Sequence, residues 1–284
     1  MKFVSFRHGG ADRFGVFKKD AIVPLSEDAD LKSLLAAGPA ALQAAEKEAA
    51  QSTGPIALAH VELLPPIPNP GTIWCAGMNT HSHYDEAREH MKLHDKPAKP
   101  ILFIRSTATL VGSGRNLEKP KLDPYFDYEG EIAIVIGAHV RNVAVDQAMA
   151  CIAGYACFND ASARAYQLSS NQITAGKNAW RSGGFGPCLV TPDEVDLASM
   201  TMVCRLNGTE MQRMKIDDLI FGFAELVSFI SEFTWLVPGD VIVTGSPAGI
   251  GALRKPPVLL KAGDTVEVEV SGVGTLVNGV QNQP

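Results

Sequence analysis

The chain has 284 residues, of which 46% are hydrophobic and 20% charged, with a formal net charge of −6. That balance describes a folded globular chain with a substantial core and excludes a disordered one. It also sets nucleic acid aside as a partner, because phosphate binding needs a basic face and the Lys and Arg residues are scattered. No stretch has the length of a membrane span, and the start Met-Lys-Phe-Val-Ser-Phe-Arg-His-Gly-Gly lacks the apolar run of a signal peptide. A soluble cytoplasmic enzyme with no membrane partner is therefore expected.

Residues 1–25 alternate apolar and polar positions around Gly9, Gly10 and Gly15, which predicts three short strands in a meander. Residues 28–50 are Ala- and Leu-rich and read as helix, interrupted at Gly38 and Pro39. The Pro-rich connector 63–71 is the best domain boundary, dividing a small N-terminal unit (1–68) from a larger one (69–284). Residues 73–76 read as a strand, 80–94 as a helix closed off by Pro97 and Pro100, and 101–104 as a strand ending at Arg105.

Four of the seven histidines, His81, His83, His90 and His94, fall on that helix. His90 and His94 lie one turn apart, but no cysteine is near and surface helices commonly carry imidazoles, so zinc is disfavoured. His83 and Glu86 share a helix face. They read either as a surface pair or as a dyad whose carboxylate holds one ring nitrogen while the other takes a proton from water. Gly112-x-Gly114 lacks the third glycine and the following helix of a nucleotide loop. The five cysteines, with no Cys-x-x-Cys pair, fit reduced core residues.

The segment Asp-Tyr-Glu-Gly-Glu (127–131) precedes the apolar, mostly β-branched run 132–136, which reads as a buried strand. Alternation puts Glu129 and Glu131 on the same side as Ala133 and Val135. Two readings follow: the solvated face of an edge strand, or carboxylates that repel each other unless a cation sits between them. A second apolar segment, 155–158, delivers Asn159 and Asp160. Three carboxylates without thiol neighbours describe a hard-cation site for Mg²⁺ or Mn²⁺, open to water and substrate.

Residues 143–151 read as a helix, and Gly183, Gly184 and Gly186 as a turn-rich loop before a strand at 188–191. Asn207-Gly208 marks a hairpin. Asp217 and Asp218 read as caps of a buried helix, 219–233. Strands at 241–244, 265–270 and 274–277 complete a β-rich roll.

Seven segments occur in order: Trp-Cys-Ala-Gly-Met-Asn (74–79), Asp-Tyr-Glu-Gly-Glu (127–131), Phe-Asn-Asp-Ala-Ser-Ala-Arg (158–164), Gly-Lys-Asn (176–178), Phe-Gly-Pro (185–187), Val-Thr-Pro-Asp-Glu (190–194) and Pro-Gly-Asp-Val-Ile-Val-Thr-Gly-Ser-Pro-Ala-Gly-Ile-Gly (238–251). Together they resemble the fumarylacetoacetate hydrolase family. The resemblance implies a mixed α/β, β-rich fold: a mixed β-sandwich roll catalytic domain behind a small N-terminal α+β domain. It implies a divalent cation on Glu129, Glu131 and Asp160, namely Mg²⁺ or Mn²⁺, with Ca²⁺ able to replace them in crystals. It assigns catalytic roles to His83, Glu86 and Lys177, and a homodimer. Arg164 and Gln167 stand where a substrate carboxylate could be oriented, although a structural ion pair suits Arg164 equally. Thr244, Gly245 and Ser246 match the family's Thr-Gly-Thr-Pro loop, with Ser246 keeping the hydroxyl. Thr80 departs from a usual Tyr, and Ala165 from a frequent Asp. Arg105, Trp180 and Arg181 are candidates to set substrate length.

The expected function is hydrolysis of a C–C bond in a 2,4-dioxo acid of the acylpyruvate or fumarylpyruvate type, a small anionic 2-oxo acid. Family members that decarboxylate oxaloacetate-type diacids or isomerise 2-hydroxyhepta-2,4-diene-1,7-dioate use the same cation and enolate. A binder of 2-oxo acids without turnover is the expectation from another class.

Overall fold

The computed structural model describes residues 1–26, 29–52, 54–91 and 95–284. The fold is mixed α/β and strand-rich. Its largest sheet runs, strand by strand, through Ile56–Ala57, Ala21–Pro24, Ala11–Lys18, Lys2–His8, Gly183–Val190, Ile152–Asp160, Gly130–Ile136, Val241–Val243, Ile73–Gly77 and Ile101–Arg105. The N-terminal meander joins this sheet directly, with Phe3 opposite Leu189. A five-stranded sheet, Thr209–Lys215, Thr201–Leu206, Thr265–Val270, Gly274–Asn282 and Leu117–Lys119, packs against it.

Strand alternation divides the core in two. Ile132, Ile134 and Ile136 face a cluster shared with the second sheet and with Leu226, Val227 and Ile230 of the helix Phe223–Phe233. Ala133 and Val135 face the other way, into a cluster with Phe158, Leu189 and with Leu31 and Leu35 of the helix Leu31–Ala36. Glu129 and Glu131 have the parity of Ala133, and Asp160 that of Phe158. One face of the sheet is therefore apolar at one end and carries three carboxylates at the other.

Two expected elements differ. Gly183 and Gly184 lie inside the strand Gly183–Val190, not in a loop. Close approach demands glycine there: a Cβ on Gly184 would meet Asn278 Oδ1 at 2.4 Å. The helix expected at 219–233 begins at Phe223, because Asp218 is engaged by the Ser82 backbone amide at 3.0 Å and the chain from Ile216 to Asp218 is a 3₁₀ turn. Glu225 instead receives the Gly222 amide at 2.7 Å and closes the helix start. Of the helix expected at 143–151, Val145–Ala148 is α-helical and Met149–Cys151 is 3₁₀. The helix expected at 80–94 runs His81–Met91; His94 and the side chain of His90 lie outside the described residues, as does Asp28. Among the described residues no helix is long and apolar enough to cross a membrane.

Candidate metal centre

Antiparallel pairing of Gly130–Ile136 with Ile152–Asp160 sets Gly130 opposite Asn159 and Glu131 opposite Phe158, which brings the two strand ends carrying the carboxylates together. Glu129, Glu131 and Asp160 are all buried, and one oxygen of each lies within 4.8 Å of the others. Among the described residues this is the trio of ligating side chains close enough to share an ion. Around an octahedral ion at about 2.1 Å, neighbouring oxygens stand about 3.0 Å apart and opposed ones about 4.2 Å, so the three carboxylates, all-oxygen donors as Mg²⁺ or Mn²⁺ prefers, would draw together to share it.

The surrounding charges alternate. Asp127 is fully buried and accepts from the Arg164 guanidinium at 2.7 and 3.0 Å and from the Gly251 and Ala252 amides at 2.8 and 3.0 Å. Arg164 Nη2 reaches Glu129 Oε1 at 2.7 Å, and its Nη1 donates to Gln167 Oε1 at 2.8 Å. Lys177 bridges Glu129 Oε2 and Asp160 Oδ2, the second at 2.5 Å. Arg105 takes Asp160 Oδ1. Glu131 ends outside this chain of pairs and receives the backbone amide of Gly245. Four carboxylates thus face three cations. A divalent ion reverses the one-charge excess and makes the pocket attractive to an anion.

The pKa directions follow this arrangement. Burial raises Glu131, and the Asp160 and Glu129 charges raise it further, well above the usual carboxylate range. Burial alone would also raise Glu129, but Arg164 and Lys177 outweigh it and hold its carboxyl low. Burial would lower Lys177, but Asp160 and Glu129 reverse the sign and keep it protonated.

The helix His81–Met91 is tied over this site at several points. His83 Nδ1 lies 3.2 Å from Glu86 Oε2, while Glu86 Oε1 accepts the Gly249 amide at 2.9 Å. Thr80 takes on the work that opens this helix: its hydroxyl accepts the His83 amide at 3.2 Å and donates to the Ser246 carbonyl at 2.8 Å. Thr80→Val removes both bonds, and about 1 kcal/mol of helix-end stability with them. Amide hydrogen exchange is expected to speed up at His83 and Tyr84 with little change in the sheet; unchanged protection would count against this anchor.

The Thr244–Gly245–Ser246 loop is placed by its backbone. The Thr244 amide and hydroxyl both bond the Ile132 carbonyl, at 3.1 and 2.9 Å, so the hydroxyl of this expected substrate contact is turned into the sheet. Gly245 has φ +107°, and a Cβ there would meet Asn79 Cβ at 2.8 Å. Ser246 is buried beneath Thr80.

Of the three residues expected to set substrate length, Arg105 lies against the trio itself, bound to Asp160. Arg105 is 1% exposed and hydrogen-bonded to Asp160, Ala161 and Ser182, so it is part of the scaffold. Trp180 is 59% exposed, and Arg181 pairs with Glu118 at 3.2 Å. Sequence reasoning gave no task to Asp127. Its position two residues before Glu129 was the signal, since alternation puts it near the same end of the strand.

A fold of this kind with a buried carboxylate trio defines a class of enzymes, and the comparisons agree. Residues 72–281 match the family model Fumarylacetoacetate (FAA) hydrolase C-terminal, and residues 1–66 match Rv2993c-like, N-terminal. The chain belongs to the fumarylacetoacetate hydrolase family. It is 35% identical over 246 residues to a mitochondrial oxaloacetate tautomerase of Bos taurus, covering 86% of this chain and 77% of that one. Among solved structures it resembles the maleylpyruvate hydrolase of Sphingobium sp. SYK-6 in complex with manganese (II) ion and pyruvate (25% identity, TM-score 0.83, all of both chains). It also resembles the 2-hydroxyhepta-2,4-diene-1,7-dioate isomerase of Mycobacterium marinum (28%, TM-score 0.76, 100% of this chain and 99% of that one).

Proposed function

We propose that this protein is a divalent-cation-dependent hydrolase that cleaves a C–C bond in a 2,4-dioxo acid of the acylpyruvate type. The observation that carries this reading is the His83–Glu86 pair anchored at Gly249 on a helix tied over the Glu129, Glu131 and Asp160 trio. When bound, Mg²⁺ or Mn²⁺ supplies a Lewis acid for the substrate's carboxylate and 2-oxo oxygens and stabilises the enolate leaving group.

The chain's own residues do the rest. With Nδ1 turned to Glu86, His83 Nε2 is the nitrogen that takes a proton from water, which attacks the carbonyl beyond C3. Glu86 steadies the imidazolium that results. Lys177 stabilises negative charge growing on the enolate once it exchanges a carboxylate contact for the substrate. Helix His81–Met91 excludes bulk water from the reacting centre. The substrate is a small anion, the enzyme acts in the cytoplasm, and two copies associate through their catalytic domains.

A second reading is keto–enol tautomerisation of oxaloacetate, in which the same groups exchange a C3 proton and no water attacks. The identity to tautomerases favours it. Purified protein is to be assayed with acetylpyruvate, fumarylpyruvate and oxaloacetate, with Mn²⁺ and then with EDTA. Release of pyruvate and a carboxylic acid, lost in EDTA, is the expected result. Enol–keto exchange of oxaloacetate without acylpyruvate cleavage would replace the first reading by the second, and silence on all three substrates with Mn²⁺ present would sink both.

A further inference from the structure

Arg105 is among the largest fully buried side chains in the protein, and its setting is built for a guanidinium. Nη1 donates to Asp160 Oδ1 and, at 3.3 Å, to the Ala161 carbonyl; Nη2 donates to Ser182 Oγ at 2.6 Å; Nε faces Thr109 Oγ1 at 3.4 Å. Both hydroxyls donate their own hydrogen to a backbone carbonyl, Ser182 to Ala179 and Thr109 to Ser106, each at 2.7 Å. Their lone pairs are thereby fixed toward the guanidinium. Arg105 Cζ lies 5.9 Å from the Phe158 ring centroid. Gly183, paired with Asp160 across the sheet, leaves the room: a Cβ there would sit 3.2 Å from Arg105 Nη2 and 3.3 Å from Nε.

We propose that Arg105 is a positioning residue for the cation site: held by Ser182 and Thr109, it pins Asp160 Oδ1 so that Oδ2 is presented to the point shared with Glu129 Oε2. Arg164, held by Asp127, does the same for Glu129 by pinning Oε1. Lys177 now stands at that shared point, in contact with Oδ2 and Oε2 together. The inference rests on the cation reading given above, and goes beyond it by giving Arg105 a task that neither binds cation nor touches substrate.

Simple electrostatics predicts the opposite sign. Removing a positive charge beside Asp160 should strengthen cation binding if Arg105 is only a counter-charge, whereas losing orientation weakens it. Calorimetric titration of the full chain with Mn²⁺ decides, with thermal melts in EDTA to verify folding. Arg105→Met is expected to bind Mn²⁺ roughly 10- to 100-fold more weakly than wild type, the range for losing a group that orients a ligand. Ser182→Ala leaves every charge in place and loosens the guanidinium alone; it is expected to weaken binding by roughly 3- to 10-fold. Arg105→Lys, which keeps the charge but cannot hold Asp160 and both hydroxyls, falls between them. Equal or tighter binding by Arg105→Met, or unchanged binding by Ser182→Ala, overturns the proposal. Should Arg105→Met not fold, Ser182→Ala and Arg105→Lys discriminate between the two signs in its place. A wild-type chain that binds no Mn²⁺ is a different failure, that of the cation reading itself, and takes this inference down with it.

Discussion

Glu131→Gln is expected to abolish tight Mn²⁺ binding while making the cation-free protein more stable. Within the trio, Glu129 has Arg164 and Lys177, and Asp160 has Arg105 and Lys177, whereas Glu131 receives the backbone amide of Gly245. It therefore carries the charge excess that draws a cation in. A glutamine keeps the shape and, through its carbonyl, the Gly245 bond, but removes a buried charge that Asp160 and Glu129 repel. Loss of one anionic ligand of three should weaken Mn²⁺ by at least about 100-fold and lower turnover by on the order of 10³.

The stability gain has a pH signature. The folded-state pKa of Glu131 is raised, so the wild type has its full contribution below the ordinary carboxylate range and loses it as pH rises through the folded value. The glutamine variant has no such loss. In EDTA its melting temperature should exceed wild type by a few degrees at about pH 8, and the gap should close toward about pH 4. Wild-type Mn²⁺ affinity in the variant, or a gap that widens toward low pH, would refute the assignment.

How much of this was legible beforehand depended on the range over which each signal acts. Period-two alternation is local, so Glu129 and Glu131 could be put on one face with Ala133, and the structure keeps them there. Asp160 also stands at the end of an apolar segment that reads as a strand, although its approach to Glu129 depends on strand pairing that no local pattern announces. Lys177 is reachable only by resemblance, because a short helical turn far along the chain delivers it. Arg105 reads as a candidate to set substrate length, and nothing local announces that it is held by Asp160 and Ser182, which lie far along the chain. Local rules misfired where tertiary crowding overrides them. Gly183 and Gly184 carry the composition of a turn, yet they sit in a strand because Arg105 and Asn278 press against it. Asp217 and Asp218 look like helix caps, while the working start is Gly222 with the Glu225 carboxylate three residues on, the acidic half of a capping box whose other half glycine cannot supply, so the sequence signature is missing.

His83→Ala is expected to lower acylpyruvate hydrolysis by about 10²–10⁴ in kcat, the usual range for a lost general base, with a smaller change in KM. Glu86→Gln should be nearly as damaging, and the geometry says why. Glu86 Oε1 accepts the Gly249 amide at 2.9 Å, so a glutamine must turn its carbonyl to Gly249 and its NH₂ toward His83 Nδ1. An NH₂ there donates to Nδ1, which drives the ring proton to Nε2, the nitrogen that must be empty to take a proton from water. The same tautomer error costs about 10⁴ when an aspartate partner of a catalytic histidine becomes asparagine. If His83 serves water alone, any decarboxylation of oxaloacetate, which needs the enolate but no water, should survive both substitutions better than hydrolysis does. Rates of the two reactions, measured side by side with saturating Mn²⁺, make the comparison. Equal losses in both would show that His83 moves the C3 proton instead, the chemistry of a tautomerase; a Glu86→Gln variant with wild-type hydrolysis would remove the dyad from the mechanism.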